Sequence, residues 1–229
     1  MGYSQNAFIN LIPTTVSQWD MSREAEKYFE EVSGSWDVLR KSFYGDEVRD
    51  AVLAAAKVLP SDTVLDVGAG TGFLTEGAAK IARKVIALDF SEAMTGESRV
   101  KLSGRNVEFK IGNVEQIPLP DASVDAVIGN MILHHCLNPD VAVKDMARVL
   151  VPGGRLALSD LQHHNFEFLR KEHADRWLGF EISRVGTILD QAGFADVRVE
   201  GLESCCSTTV EHRQVKIPMF LASGRKLKL

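Results

Sequence analysis

Basic residues are too few for a nucleic-acid footprint: 26 Lys and Arg stand against 31 Asp and Glu, a formal charge of −5, whereas phosphate contacts need Lys and Arg concentrated on one face. Cysteine is scarce too. Three thiols cannot all pair within one chain, so no disulfide framework is expected and a reducing compartment is. No apolar run approaches the roughly 18 residues that cross a bilayer. The N-terminal stretch lacks the basic start and continuous apolar core of a secretory signal. These absences point to a cytoplasmic chain whose partner is neither nucleic acid nor membrane, with oligomeric state left open.

What is present fits one α/β domain: 229 residues, 45% hydrophobic and 25% charged, enough for a substantial core but not for two. Residues 1–45 read as a helical cap or lid, with one or two short helices over Ser22 to Ser42 broken near Gly34. Residues 46–229 read as the main domain, with an insert over 160–181. A helical stripe of Val48, Ala51, Val52, Ala55 and Val58 precedes Pro60. Short apolar strands follow at Val64 to Val67, Val85 to Leu88, Val107 to Ile111, Val124 to Gly129 and Arg155 to Ser159, alternating with helices. Ser91 and Asn138-Pro139 supply helix starts; Gly104 and Gly193 supply stops. A tail hairpin over Val197 to Val199 and Val215 to Leu221 completes seven strands, with Pro218 marking a bulge or an edge. Such alternation predicts a doubly wound, mostly parallel sheet with helices on both faces and ligands at the strands' carboxyl ends.

Asp66-Val67-Gly68-Ala69-Gly70-Thr71-Gly72 joins the first strand to its helix, and glycines there let backbone bend tightly and approach a ligand. The dinucleotide fingerprint asks for glycine at position 73, where this chain has Phe73, which weakens a nicotinamide reading. Asp89 ends the second strand about 20 residues on, where a carboxylate can accept both hydroxyls of a ribose.

Together, Leu65 to Gly72, Asp89-Phe90-Ser91 with Met94, Ile117-Pro118-Leu119-Pro120-Asp121 and Arg148 to Gly154 resemble the successive motifs of class I S-adenosylmethionine-dependent methyltransferases over roughly residues 46 to 160. The resemblance implies a Rossmann-like methyltransferase fold, S-adenosyl-L-methionine as cofactor and a small-molecule methyl acceptor. It implies that Asp66 with the backbone of Gly68, Ala69 and Gly70 holds the methionine part, that Asp89 holds the ribose, and that Phe90 and Met94 flank the adenine. Asn113 and Val114 stand where the family usually places an Asp for the adenine amino group; asparagine keeps an acceptor oxygen. Asn130 is the implied floor under the sulfonium, and Trp36 and Tyr44 are expected to cover the nucleoside. Asn130-Met131-Ile132-Leu133 lacks the paired prolines of enzymes that methylate base amino groups.

Methyl transfer depends chiefly on alignment, with a base needed for some acceptors. His134 and His135 are the candidates, and the alternative is a helix-start segment with no proton role. Cys136, Cys205 and Cys206 should emerge on one sheet edge with His163 and His164, and could converge on a metalloid, given a broad similarity to arsenite methyltransferases; the plain reading is packing and a polar loop. His163, His164, His173 and Asp175 read as a solvated face matching no metal-ligand spacing, so no metal site is expected. A second class also stands, a cofactor-binding or scaffold protein without chemistry.

Overall fold

The computed structural model describes residues 27–210 and 213–227. Seven strands form one sheet in the order β3-β2-β1-β4-β5-β7-β6. They are β1 (Thr63–Val67), β2 (Lys84–Asp89), β3 (Val107–Ile111), β4 (Val124–Asn130), β5 (Leu150–Leu161), β6 (Phe194–Val210) and β7 (Arg213–Lys226). The first five run parallel, and β7 lies antiparallel between β5 and β6. β1 is buried along its whole length, as a central parallel strand covered on both faces must be. Strand order reverses between β1 and β4, which is where an open α/β sheet leaves a crevice at its carboxyl edge.

Period-two alternation divides the interior. Ala126 and Ile128 of β4 face one cluster, where α2 (Asp46–Ala56) packs Val48, Val52, Leu53 and Ala56. Val127 faces the other, built with Met146 of α5 (Pro139–Val149) and Val185, Ile188 and Leu189 of α7 (Ile182–Gln191). Helix starts follow their local chemistry. Ser91 Oγ accepts from Met94 N at 3.3 Å to open α4 (Glu92–Lys101), and Asn138 Oδ1 accepts from Val141 N at 3.3 Å to open α5, each satisfying a backbone donor that the helix cannot. α3 (Phe73–Ala78) follows the glycine turn, and α6 (Leu169–Glu172) is a single turn in the segment after β5.

The expected cap helices start outside the described residues; from 27 onward a helical stretch over 27–32 meets a 3-10 turn at Ser33–Ser35, the expected break, and continues as α1 (Trp36–Phe43). Arg148 joins two of the sequence motifs: its guanidinium donates to the carbonyls of Ile117 and Leu119 at 2.8 Å and pairs with Asp121 at 2.8 Å and Asp145 at 2.6 Å.

Three expectations change. β5 begins at Leu150, not Arg155, because Gly153 at φ +80° lets the chain slip register against β4 and continue through Val151 to Gly154. β6 has 17 residues where Val197 to Val199 was expected. A register shift between Gly201 and Cys205 extends it, so Cys205 and Cys206 lie within the strand opposite Pro218 and Ile217 and do not follow it. Pro218, one residue before β7 begins pairing with β5 at Met219, sits at this bulge. Among the described residues no helix is long and apolar enough to cross a membrane.

Candidate active site

The turn after β1 holds Gly68, Gly70 and Gly72 at φ +64°, +53° and +89°, a region that side-chain-bearing residues seldom occupy. A Cβ on Gly68 would come within 2.6 Å of Ile132, whereas one on Gly70 would meet only Trp36 Nε1, at 3.8 Å. Space above Gly70 is therefore open to a ligand, with the Trp36 indole across it.

Asp66 is buried beneath this turn and accepts from Thr75 Oγ1 at 2.5 Å. Burial pushes its pKa from 3.8 to about 7 against that hydrogen bond. Asp89 accepts from Gly70 N at 2.7 Å and Ser91 N at 2.9 Å, and burial raises its pKa as well. Two buried carboxyl groups at one turn are costly without a cation or hydroxyls to answer them.

Two cavities meet here. The first, about 100 Å³, is lined by Asp66, Ala69, Gly70, Met94 and Asn130 and by cap residues. The second, about 470 Å³, is lined by Asn113, Val114, Cys136 and Leu137. Gly68, Asp89, Phe90, Ile132 and His135 border both. Every cofactor-side residue named from the sequence thus lines one or both. The two cavities share a wall that includes Asp89. Met94 lines the first cavity, away from Asn113 and Val114. Trp36 and Tyr44 also line only the first, because α1 and the residues after it pack on Phe73 and Gly70. Asn113 Oδ1 already accepts from Glu115 N at 2.8 Å in a local turn, which leaves one lone pair for a ligand.

Asn130 closes the floor of the first cavity. Its amide donates to Tyr44 Oη at 2.7 Å and accepts from Ser159 Oγ at 2.8 Å, so its orientation is fixed from both sides. Arg40, unnoticed in the sequence because a charge in a short helix reads as exposed, is 4% exposed. Its guanidinium stacks 4.0 Å over Phe73, donates to Tyr44 O at 3.2 Å and lines the first cavity, and its Nε has no hydrogen-bond partner among the described residues.

The two histidines differ. His134 is buried; its Nδ1 donates to Asp160 Oδ1 at 2.6 Å and its Nε2 lies 3.6 Å from Asp175 Oδ1. Burial opposes its charge, but Asp160 and Asp175 outweigh that and raise its pKa from 6.5 to about 9. A ring held protonated cannot serve as a base at neutral pH. His135 lies against it, ring centroids 3.9 Å apart, with Nδ1 donating to Ala174 O at 3.2 Å; burial and the neighbouring His134 charge hold its pKa well below 6.5.

His173 and Asp175, expected on a solvated face, instead line the first cavity, with Tyr28 Oη 2.8 Å from His173 Nδ1. They turn inward because Arg176 N and Trp177 N both donate to His134 O at 3.0 Å. His163 is exposed and lines neither cavity. The described thiols do not converge: Cys206 lines the first cavity and Cys136 the second. Cys136 Sγ donates to Ile132 O at 3.4 Å and burial pushes its pKa up, as suits a packing residue. The side chain of Cys205 lies outside the described residues.

A doubly wound sheet with a glycine turn, a ribose-type carboxylate and a split cavity at its carboxyl edge defines a Rossmann-like nucleoside-binding protein. Residues 65–158 match the methyltransferase domain family. The chain is 33% identical over 158 residues to the arsenite methyltransferase of Halobacterium salinarum, covering 64% of this chain and 40% of that protein. It is 32% identical over 146 residues to the demethylmenaquinone methyltransferase of Renibacterium salmoninarum, covering 62% and 61%. Haemonchus contortus phosphoethanolamine N-methyltransferase 2, solved with phosphomonomethylethanolamine and S-adenosylhomocysteine, shares the fold at TM-score 0.66 and 14% identity, covering 80% of this chain and 53% of that one. Over residues 65–158 the chain is thus similar to a methyltransferase domain, and the relatives it resembles include S-adenosylmethionine-dependent methyltransferases. It spans between 37% and 65% of the length of the curated relatives it matches.

Proposed function

We propose that this chain transfers the methyl group of S-adenosylmethionine to a small-molecule acceptor bound in the first cavity beneath the cap. The observation that carries the reading is the shared wall of Gly68, Asp89, Phe90, Ile132 and His135 between the two cavities: a cofactor gripped at Asp89 extends toward the chamber where an acceptor sits. When bound, the cofactor supplies an electrophilic methyl on a sulfonium. Asp66 would take the methionine ammonium, the Arg40 cation would answer its carboxylate, and Asn130 would form the floor near the sulfur. Asn113 and Val114 would border the adenine.

The chain's own contribution to rate is alignment and exclusion of water. Tyr28, Phe29, Trp36 and Phe43 bring an aromatic surface from the cap to the chamber, which favours a flat or partly apolar acceptor. Residues 1–45 act in this reading as the lid, and 46–229 as the catalytic domain with the 160–181 segment shaping the acceptor side. The test is transfer of labelled methyl from the cofactor to a panel of small acceptors, alongside thermal stabilisation by S-adenosylhomocysteine and by NAD. Stabilisation by NAD alone would overturn the reading.

A further inference from the structure

We propose that His134, His135 and Asp175 form a binding site for a divalent transition-metal ion in the acceptor chamber. One ring nitrogen of each histidine and one Asp175 oxygen lie within 4.8 Å of one another, and all three residues line the first cavity.

Each histidine already has the outer partner that orients a metal-ligating imidazole. His134 Nδ1 donates to Asp160 at 2.6 Å, which leaves Nε2 on the Asp175 side, where a bound ion would displace the ring's second proton to solvent. Asp160 is itself anchored by Leu133 N and Leu161 N, each at 2.7 Å. His135 Nδ1 lies 3.2 Å from the Ala174 carbonyl. A carbonyl can only accept, so Nδ1 carries the hydrogen and Nε2 the lone pair. The bonds from Arg176 N and Trp177 N to His134 O fix the Asp175 segment against the histidines.

Spacing agrees with coordination. The 3.6 Å between His134 Nε2 and Asp175 Oδ1 is too long for a hydrogen bond. It is close to the separation of about 3.4 Å between two ligands that each bind a tetrahedral ion at about 2.1 Å. From the 4.8 Å limit, the widest pair would draw in by at most about 1.4 Å to reach that separation. Two imidazoles and one carboxylate favour Fe²⁺, Co²⁺, Ni²⁺ or Zn²⁺ over Mg²⁺ or Ca²⁺. Asp175 and the outer Asp160 together offset a double positive charge in this buried place.

Three protein ligands leave coordination positions open toward the chamber, the arrangement of a metal that receives a substrate. An acceptor with adjacent oxygen donors would fill them, giving up a hydroxyl proton to solvent as it binds. That acceptor class rests on the methyl-transfer reading; the metal site does not. Sequence spacing could not show the cluster, because Asp175 enters from the segment after β5 while the histidines follow β4.

The test is titration of the chelator-treated full chain with Co²⁺ and Zn²⁺, read by visible absorption and by bound-metal analysis. One equivalent should bind, with the bands of a nitrogen- and oxygen-ligated Co²⁺. His135→Ala and Asp175→Asn should each weaken binding by at least about tenfold, whereas His163→Ala, at an exposed position, should leave it unchanged. Melting temperature and S-adenosylhomocysteine affinity of the same samples report whether each variant folds and keeps the cofactor pocket. A chain that binds S-adenosylhomocysteine but takes up no stoichiometric Co²⁺ or Zn²⁺ overturns the metal site, as does equal metal affinity in wild type and both ligand variants. Metal uptake without S-adenosylhomocysteine binding would instead count against the methyl-donor reading alone.

Discussion

Thr71 Oγ1 donates a 2.6 Å hydrogen bond to Asp37 Oδ1, tying the glycine turn of the cofactor cradle to α1 of the cap. Lys101 Nζ reaches the other carboxylate oxygen at 2.7 Å. Burial opposes ionisation of Asp37, but these two bonds prevail and lower its pKa below 3.8. The link contributes stability that is present above the unfolded pKa and is lost as pH falls through the lowered folded value. Asp37→Ala should weaken S-adenosylhomocysteine binding by about fivefold, the worth of one such bond at about 1 kcal/mol, when affinity is measured by calorimetry near neutral pH. Unchanged affinity would show that the cradle does not depend on the cap.

Asp66 gives a pH test of the opposite sign. Its folded pKa of about 7 lies above the ordinary 3.8, so the native state holds the proton longer and the ligand-free protein loses stability between about pH 4 and pH 7. Asp66→Asn should raise the melting temperature of the ligand-free protein at pH 8, with little effect near pH 4, and should abolish much of the stabilisation given by S-adenosylhomocysteine. If the variant bound that ligand as well as wild type at pH 8, Asp66 would not be the partner of its ammonium.

Gly68→Ala should fail for two physical reasons. Alanine at φ +64° is strained by about 1–2 kcal/mol, and its methyl would lie 2.6 Å from Ile132. Urea denaturation should show the loss, and cofactor affinity should fall with it. Adding Ile132→Ala should recover part of the stability by removing the clash but none of the backbone strain, a non-additive pair that a double-mutant cycle would resolve.

Arg148 of α5 holds its own motif and the Ile117 to Asp121 motif together through two carbonyls and two carboxylates. Arg148→Ala should cost about 2–3 kcal/mol in urea, since charge-assisted bonds to two carbonyls and two carboxylates are lost together. Arg148→Lys should recover little, because one ammonium cannot span the fork. Full recovery by lysine would reduce the role of this residue to charge alone.

Deleting residues 1–44 should remove turnover while the remaining chain still melts cooperatively, because Tyr28, Phe29, Trp36, Arg40, Phe43 and Tyr44 contribute walls of the first cavity, whereas both core clusters are built mainly from residues after 44. Retained turnover with any acceptor would dismiss the lid.

The parallel half of the sheet was legible because each strand is a short apolar run closed by a turn: Val107 to Ile111 coincides with β3, and Asn138-Pro139 opens α5 as its capping chemistry requires. The antiparallel tail was only partly legible. Gly153 and Gly201 lie within or beside bulges where strands continue, and no local pattern distinguishes a bulge from an end. The part of the cavity wall around Asp66 and Asp89 could be read because these residues stand near the carboxyl ends of two strands. The acceptor side could not. Arg40, His173 and Asp175 carry charge or polarity that reads as solvated, and only tertiary hydrogen bonds, such as those to the His134 carbonyl, turn them inward.

The Trp36 indole, standing across Gly70 with its nitrogen 3.8 Å from where a methyl would project, gives the chamber an intrinsic optical probe. A sulfur or a flat ring sliding into that gap would change the emission of the indole, so ligand arrival can be followed in real time by fluorescence, without a label or a coupled assay.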